Sequence, residues 1–324
     1  MADVVITEFM DDDGVAALRE FDLLYDPKLV DAPAALRAAL ADCRALVVRN
    51  RTQVRAQLLE AAPRLQVVGR LGVGLDNIDL GACAARNVRV LPATGSNDDS
   101  VAEFVIGAIL VLIRNGAFHA TADVLAGQWP RNRVIGREAN GLRLGLLGFG
   151  SIARNVARRA AAFGIAGSAA DPFVAADDPA WLELSVQRVE LPELLARSDV
   201  LSVHVPLTPS TRGLIGRDAL AAMQRGAFVI NTARGGVVDE PALVDALRSG
   251  QLAGAMLDVM EDEPLPAASR FVGVPNLLLS PHVAGVTRES NHRVSVLTAH
   301  NVRCVLHGRE PSVPDAAAEH ARRG

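Results

Sequence analysis

Short apolar runs alternate with longer Ala/Leu/Arg-rich segments along nearly the whole chain. Runs bounded by polar or turn-forming residues read as strands, and the longer segments carry apolar positions at helical spacing. Such alternation marks a parallel α/β architecture. In the first part the pattern predicts strands at 3–8, 21–25, 45–49, 66–70 and 88–91, with helical segments between them, such as 34–41 and 54–61. "ATGSNDDS" (93–100) interrupts it with small and turn-forming residues. A long helix is expected next, from Ser100 or Val101 to about Leu125. A second series starts at "GLRLGLLGFG", with strands near 142–148, 165–170, 199–205, 227–232, 253–258 and 277–280. After "SPHVAG" (280–285) one more helical pattern runs to about Leu306, and the polar tail "EPSVPDAAAEHARRG" is expected to fray.

The two series read as two domains. The last helix begins right after the second sheet ends, so it is expected to pack back on the first domain. That gives a discontinuous domain, 1–95 with 287–324, and an inserted one, 96–286. A length of 324 residues suits two domains of ordinary size. Composition then narrows the chemistry. A net charge of −4 argues against nucleic-acid or anionic-membrane partners. No apolar run approaches the roughly 18 residues of a membrane span, and "MADVVITEFMDDD" lacks the basic and long apolar regions of a signal peptide. Cys43, Cys83 and Cys304 are odd in number and far apart. They suit a reducing, cytoplasmic setting, and packing roles are expected of them. No histidine or cysteine stands at metal-ligand spacing, so no metal is expected. Lys28 is the only lysine and sits in a polar turn beside Pro27, which argues against Schiff-base and P-loop chemistry.

"LGLLGFGSIA" places Gly148 and Gly150 after an apolar strand and before a helical run that starts at Ser151 and Ile152. The pattern is G-x-G-x-x-A, with Ala153 third. The glycines permit a tight turn and close approach of the backbone to a pyrophosphate; the third place needs only a small residue. Asp171 follows about twenty residues on, where an acid accepts hydrogen bonds from an adenosine ribose. A carboxylate there favours NAD over NADP. The plainer reading of Asp171 is an ordinary Asp-Pro turn.

In open α/β sheets ligands bind outside the carboxyl ends of the strands. Arg234, Glu263 and His282 follow three such ends in the second series. A hydride-transfer enzyme needs a cation for the substrate carboxylate and a proton donor with a pKa near 7. A carboxylate beside a histidine favours its charged form and sets its tautomer. Each residue alone has a structural reading: Arg234 as a loop cap, Glu263 as part of a solvated acidic run, His282 as a packing residue. Their coincidence with a nucleotide loop favours the site. His204 also ends a strand and is expected to line the cofactor crevice; His119, His292, His300, His307 and His320 read as packing or surface residues. In the first series, Arg49 and Arg70 end two strands, and "RNRT" (49–52) adds Asn50, Arg51 and Thr52, donors suited to a phosphate or sulfonate. The alternative is that these arginines pair with surface acids such as Asp76 or Asp79.

The motifs "VVGRLGVGLDNID" (67–79), "GLLGFGSIA" (145–153), "SVHVPLTPSTRGLI" (202–215), "NTARGGVVDE" (231–240), "DVMEDEP" (258–264) and "SPHVAG" (280–285) resemble the D-isomer-specific 2-hydroxyacid dehydrogenases, particularly the D-3-phosphoglycerate dehydrogenase branch. The likeness runs to about Pro311. It implies two Rossmann-like doubly wound domains, the first flavodoxin-like, with a cleft between them, and dimerisation through the NAD-binding domain. It implies that Arg234 holds the substrate carboxylate and carbonyl, that His282 is the acid and base, and that Glu263 pairs with it. Val73 and Gly74 N–H groups help hold the carboxylate. Ser151, Ile152, Asp171, His204, Val205, Pro206, Thr232, Ala233, Asp258, Ala284 and Gly285 surround NAD, and Arg131 reaches toward a neighbouring subunit's substrate. Val73 and Val205 stand where phosphoglycerate dehydrogenases often have hydroxyl residues, and no regulatory domain is expected beyond about residue 311. The expected activity is hydride transfer between NAD and a D-2-hydroxy acid with a second anionic group, such as 3-phosphoglycerate or sulfolactate. Hydroxypyruvate or glyoxylate reduction is the enzymatic alternative. A corepressor-like NAD(H)-sensing scaffold is the alternative of another class, and formate oxidation is disfavoured because that branch carries Gln where Glu263 stands.

Overall fold

The computed structural model describes residues 2–323. The chain divides into two compact units, Met1–Asn97 with Val286–Gly324, and Asp98–Gly285. The breaks thus fall at 97/98 and 285/286, against 95/96 and 286/287 expected.

The first unit holds five parallel strands: β1 (Val4–Ile6), β2 (Leu23–Tyr25), β3 (Ala45–Val48), β4 (Val67–Arg70) and β5 (Arg89–Pro92). Their order, β2-β1-β3-β4-β5, is the flavodoxin-like one. β1 and β3 are buried at every position, as strands covered on both faces must be. The helix Arg288–Leu306 opens with a reciprocal Thr287/Ser290 capping box and packs against β4. Gly69 permits this: a Cβ there would lie 2.7 Å from Val302 Cγ2 and 2.8 Å from Thr298 Cγ2.

The second unit holds seven parallel strands: β6 (Arg143–Leu147), β7 (Ala166–Ala170), β8 (Val186–Arg188), β9 (Val200–Val203), β10 (Ala227–Asn231), β11 (Leu252–Leu257) and β12 (Leu277–Leu279). The order is β12-β11-β10-β9-β6-β7-β8. Strand order reverses between β6 and β9, the switch point at which a doubly wound sheet opens a ligand crevice at its carboxyl edge.

Three expectations need correction. The long helix to Leu125 is broken: it runs Asp98–Leu112, and a short helix Thr121–Leu125 follows. Asn115 (φ 48°) and Gly116 (φ 77°) adopt left-handed backbone that no helix continues through. β8 was not anticipated, because two of its three residues are exposed and its run is short and polar. The tail does not fray: Ala316–Arg323 is helical and Ala317 is buried. Asp315 Oδ1 accepts the N–H groups of Val90 and Ala317 (both 3.0 Å), pinning the tail to β5.

Cys43 and Cys83 are buried unpaired thiols, pushed up to about 12 by burial. Cys304 is half-buried and also unpaired. Among the described residues no helix is long and apolar enough to cross a membrane.

Candidate active site

The glycine loop leaves β6 at Gly148, whose φ of 91° favours glycine. A Cβ there would also sit 2.9 Å from His204 O and 3.0 Å from Val205 Cγ1. Gly150 is the N-cap of the helix Ser151–Ala161, and a Cβ on it would meet nothing within 4 Å. The loop therefore faces open space beside a helix N-terminus, the setting in which backbone N–H groups take a phosphate. Ala153 is fully buried, as helix–sheet packing requires. Phe149 anchors the turn by stacking on Trp181 at 4.2 Å.

Asp171 serves the loop as well as the turn after it. Its Oδ2 accepts Phe149 N–H (2.8 Å) and its Oδ1 accepts Phe173 N–H (2.8 Å). The Asp-Pro turn is therefore real, and it places a carboxylate against the nucleotide loop with acceptor capacity left on each oxygen. His204 Nε2 lies 2.8 Å from Ser202 Oγ, and burial pushes the imidazole down to about 4, so it is neutral at ordinary pH. Pro206 O accepts from Thr211 Oγ1 (2.6 Å). Thr232 Oγ1 is buried without a hydrogen-bond partner, while Ala233 N–H donates to Asn231 Oδ1 (3.0 Å). An orphaned hydroxyl costs free energy unless a ligand satisfies it. These features fit an adenine dinucleotide.

The titratable pair is built by two loops. His282 Nδ1 lies 2.8 Å from Glu263 Oε2. Glu263 Oε1 accepts Met260 N–H (3.0 Å), which fixes the carboxylate's other side. Burial pushes Glu263 up, but the His282 bond, the Met260 amide and the nearby Arg234 charge hold it below the ordinary range. His282 itself has left-handed backbone, φ 57°, strain of the kind that persists where surroundings over-determine a residue. The surroundings here are Asp258. It is 1% exposed, and its carboxylate accepts from Ser280 Oγ (2.5 Å), Val283 N–H (2.8 Å) and Ala284 N–H (2.8 Å). Its carbonyl accepts His282 N–H (2.8 Å). Asp258, expected beside the cofactor, holds the whole His282–Gly285 turn.

The loop bearing Glu263 is held in the same way. Glu240, buried and raised by that burial, accepts Glu261 N–H at 2.6 Å. Gly235 makes the approach possible: a Cβ there would lie 1.9 Å from Met260 O. Arg234 follows β10 on the same turn, where Asn231 Nδ2 donates to Arg234 O (2.9 Å) and Arg234 Nη1 donates to Ala233 O (2.6 Å).

In the first unit, Arg70 folds back on its own loop, donating to Gly74 O (2.8 Å) and Leu71 O (2.6 Å). Gly72 leaves room, since a Cβ there would collide with the guanidinium at 2.1 Å. Val73 and Gly74 lie on the braced loop and are half-buried. Arg51 is a surface residue paired with Asp31. Arg49 is different. It is half-buried, its Nη2 donates to Asn291 Oδ1 (2.7 Å), and it lies 5.9 Å over the Phe9 ring. Burial lowers its pKa, the nearby Glu8 charge opposes this, and among the described residues it makes no ion pair. Asn50 is exposed beside it, and Arg131 is exposed on a second-unit loop. His292 is a surface residue facing Asp11 and Asp13.

The second unit matches the family model for the D-isomer specific 2-hydroxyacid dehydrogenase, NAD binding domain, over residues 106–284. Across 94% of this chain, the (S)-sulfolactate dehydrogenase of Chromohalobacter salexigens is 54% identical, and 99% of that relative is covered. The chain belongs to the D-isomer specific 2-hydroxyacid dehydrogenase family. This dehydrogenase is also 41% identical to the D-3-phosphoglycerate dehydrogenase of Mycobacterium leprae over 97% of its own length, but it spans only 58% of that relative. The solved D-mandelate dehydrogenase of Rhodotorula graminis superposes with a TM-score of 0.86 at 29% identity over 97% of each chain. The dehydrogenase is thus an NAD-dependent oxidoreductase acting on 2-hydroxy or 2-oxo acids.

Sequence reasoning passed over Glu8, Glu240 and Gly235. Glu8 had a readable signal: like the three residues singled out in the second series, it lies just past the carboxyl end of a strand. In the first series that rule was applied only to arginines.

Proposed function

We propose that the dehydrogenase oxidises a D-2-hydroxy acid carrying a second anion, of the sulfolactate type. The observation that carries this is Arg49, a half-buried guanidinium with no carboxylate partner among the described residues. A buried cation without a counter-ion is costly, and a sulfonate or phosphate on the substrate supplies one. The (S)-sulfolactate relative agrees with the D-specific family. Sulfur on C3 outranks the carboxyl group in the naming rules, so the (S) label denotes the handedness of D-lactate. A 3-phosphoglycerate-type acid is the second reading, favoured by the Mycobacterium leprae relative.

At the reacting end, Arg234 takes the substrate carboxylate and carbonyl. His282, with Nδ1 held by Glu263, presents Nε2 to the hydroxyl; it accepts the proton in oxidation and returns it in reduction. NAD supplies the hydride acceptor. Gly148, Gly150, Ser151 and Ile152 take its pyrophosphate and Asp171 its ribose; His204, Val205, Pro206, Thr232, Ala233, Ala284 and Gly285 line the remainder, and Asp258 acts from behind by holding the turn that carries Ala284.

A spectrophotometric panel of sulfolactate, 3-phosphoglycerate, D-lactate, hydroxypyruvate and glyoxylate with NAD(H) and NADP(H) tests this. Arg49→Ala should lower kcat/KM for the dianionic acid by roughly 10–150-fold, the worth of a charge-assisted contact. Equal turnover of neutral-tailed and dianionic acids by the wild type would reject the reading. We further propose a homodimer formed through the second unit, with Arg131 reaching the neighbour's substrate. Its support is the run of exposed apolar side chains Phe118, Leu125 (84%), Trp129 (74%) and Ile135. Light scattering that gives a monomer mass at micromolar concentration would reject the dimer. The unpaired thiols fit a cytoplasmic setting, which cell fractionation checks.

A further inference from the structure

Glu8 lies two residues beyond β1 and is 5% exposed. Its Oε1 accepts the N–H groups of Arg49 (2.9 Å) and Thr52 (3.0 Å), and its Oε2 accepts those of Asn50 (3.2 Å) and Arg51 (3.0 Å). The adjoining Thr7 Oγ1 lies 2.8 Å from Thr52 Oγ1. Successive amides converging on one point form a nest that binds anions unaided. Here the chain's own carboxylate occupies the nest.

This has two consequences. The amides of 49–52 are engaged by Glu8, so of the donors on this loop only the side chains remain for a substrate anion. The backbone of Arg49 is also immobilised at its root, while Asn291 Oδ1 holds the guanidinium tip at 2.7 Å and the Phe9 ring lies beneath. An arginine fixed at both ends loses little rotamer freedom when an anion arrives. We infer that Glu8, by fixing the backbone of this loop, positions Arg49 for the distal anion of the substrate, and so sets the preference for dianionic over neutral-tailed acids. The inference rests on the distal-anion reading of Arg49 given above.

The test compares kcat/KM for (S)-sulfolactate and for D-lactate in the wild type, Glu8→Gln, Glu8→Asp and Arg49→Gln. Glu8→Gln should lower the sulfolactate-to-lactate ratio on the order of tenfold, with the loss residing in the sulfolactate KM rather than in kcat. Glu8→Asp keeps the charge with a shorter reach and should recover part of the ratio. A Glu8→Gln ratio within about twofold of wild type overturns the inference. So does an equal loss for both acids, which is what a merely structural carboxylate would give. Failure of both Glu8 variants to fold also overturns it, since the carboxylate is then a folding element. Arg49→Gln separates the two levels. If it leaves the ratio intact, the distal-anion reading itself falls. If it collapses the ratio while Glu8→Gln does not, only the role of Glu8 falls.

Discussion

Two glutamates past strand ends, one in each unit, have opposite fates. Glu263 meets one amide and one titratable ring, Met260 N–H and His282 Nδ1. Glu8 meets four amides of one loop. Both are held below the ordinary carboxylate range against the pull of burial. What differs is the partner. A carboxylate bonded to imidazole stabilises one protonation state of a group able to exchange protons. A carboxylate bonded to amides cannot pass its influence to a proton; it can only fix backbone. Position at a strand end therefore marks a candidate, and the partner decides whether the candidate is chemical or architectural.

The largest effect should come from the chemical side. His282→Asn is expected to lower kcat by roughly 10²–10⁴-fold, with NAD affinity, read by fluorescence titration, little changed. Near-wild-type turnover would remove His282 from proton transfer and break the contrast. In the same series, Glu263→Gln should move the alkaline arm of the reduction profile, or the acid arm of oxidation, to lower pH. The reason is that a neutral amide no longer favours the protonated ring. An unshifted profile would show that the pair is not coupled.

The smaller effect belongs to the architectural side and concerns stability. The folded-state pKa of Glu8 is depressed from the ordinary 4.5. Its contribution is therefore fully present above that value and is lost as pH falls through the lower, folded pKa. Urea midpoints measured from pH 7 to pH 3 should fall more steeply for the wild type than for Glu8→Gln. At pH 7 the variant should be less stable by on the order of 2 kcal/mol, because some loop amides lose their acceptor. Parallel acid limbs would mean that the nest does not depend on the charge.

The glycine loop, the acid after β7 and the three strand-end residues of the second unit were legible in the chain, since each is a local pattern of residue type and spacing. The break at Asn115–Gly116 was also written locally and was overlooked because apolar spacing continued past it. The roles of Asp258, Glu240 and Glu8 were not legible in this way. Asp258 carries no mark that its oxygens face Val283 and Ala284 rather than a ligand, and Gly235 carries no mark that Met260 O lies where its Cβ would be.

The sequence by itself determined the parallel α/β layering and the identity of the chemical groups, because burial periodicity and turn chemistry act over a few residues. Tertiary structure decided what those groups touch. β1 pairs with β3 in the register Val4↔Ala45, Val5↔Leu46, Ile6↔Val47. Carrying the same offset two residues further brings Glu8 level with Arg49. A slip of one residue would turn Glu8 to the other face of the sheet and leave the amides of 49–52 without an acceptor. That register is set by side chains packed across both faces of the sheet, from segments far apart in the chain, and no local stretch contains it.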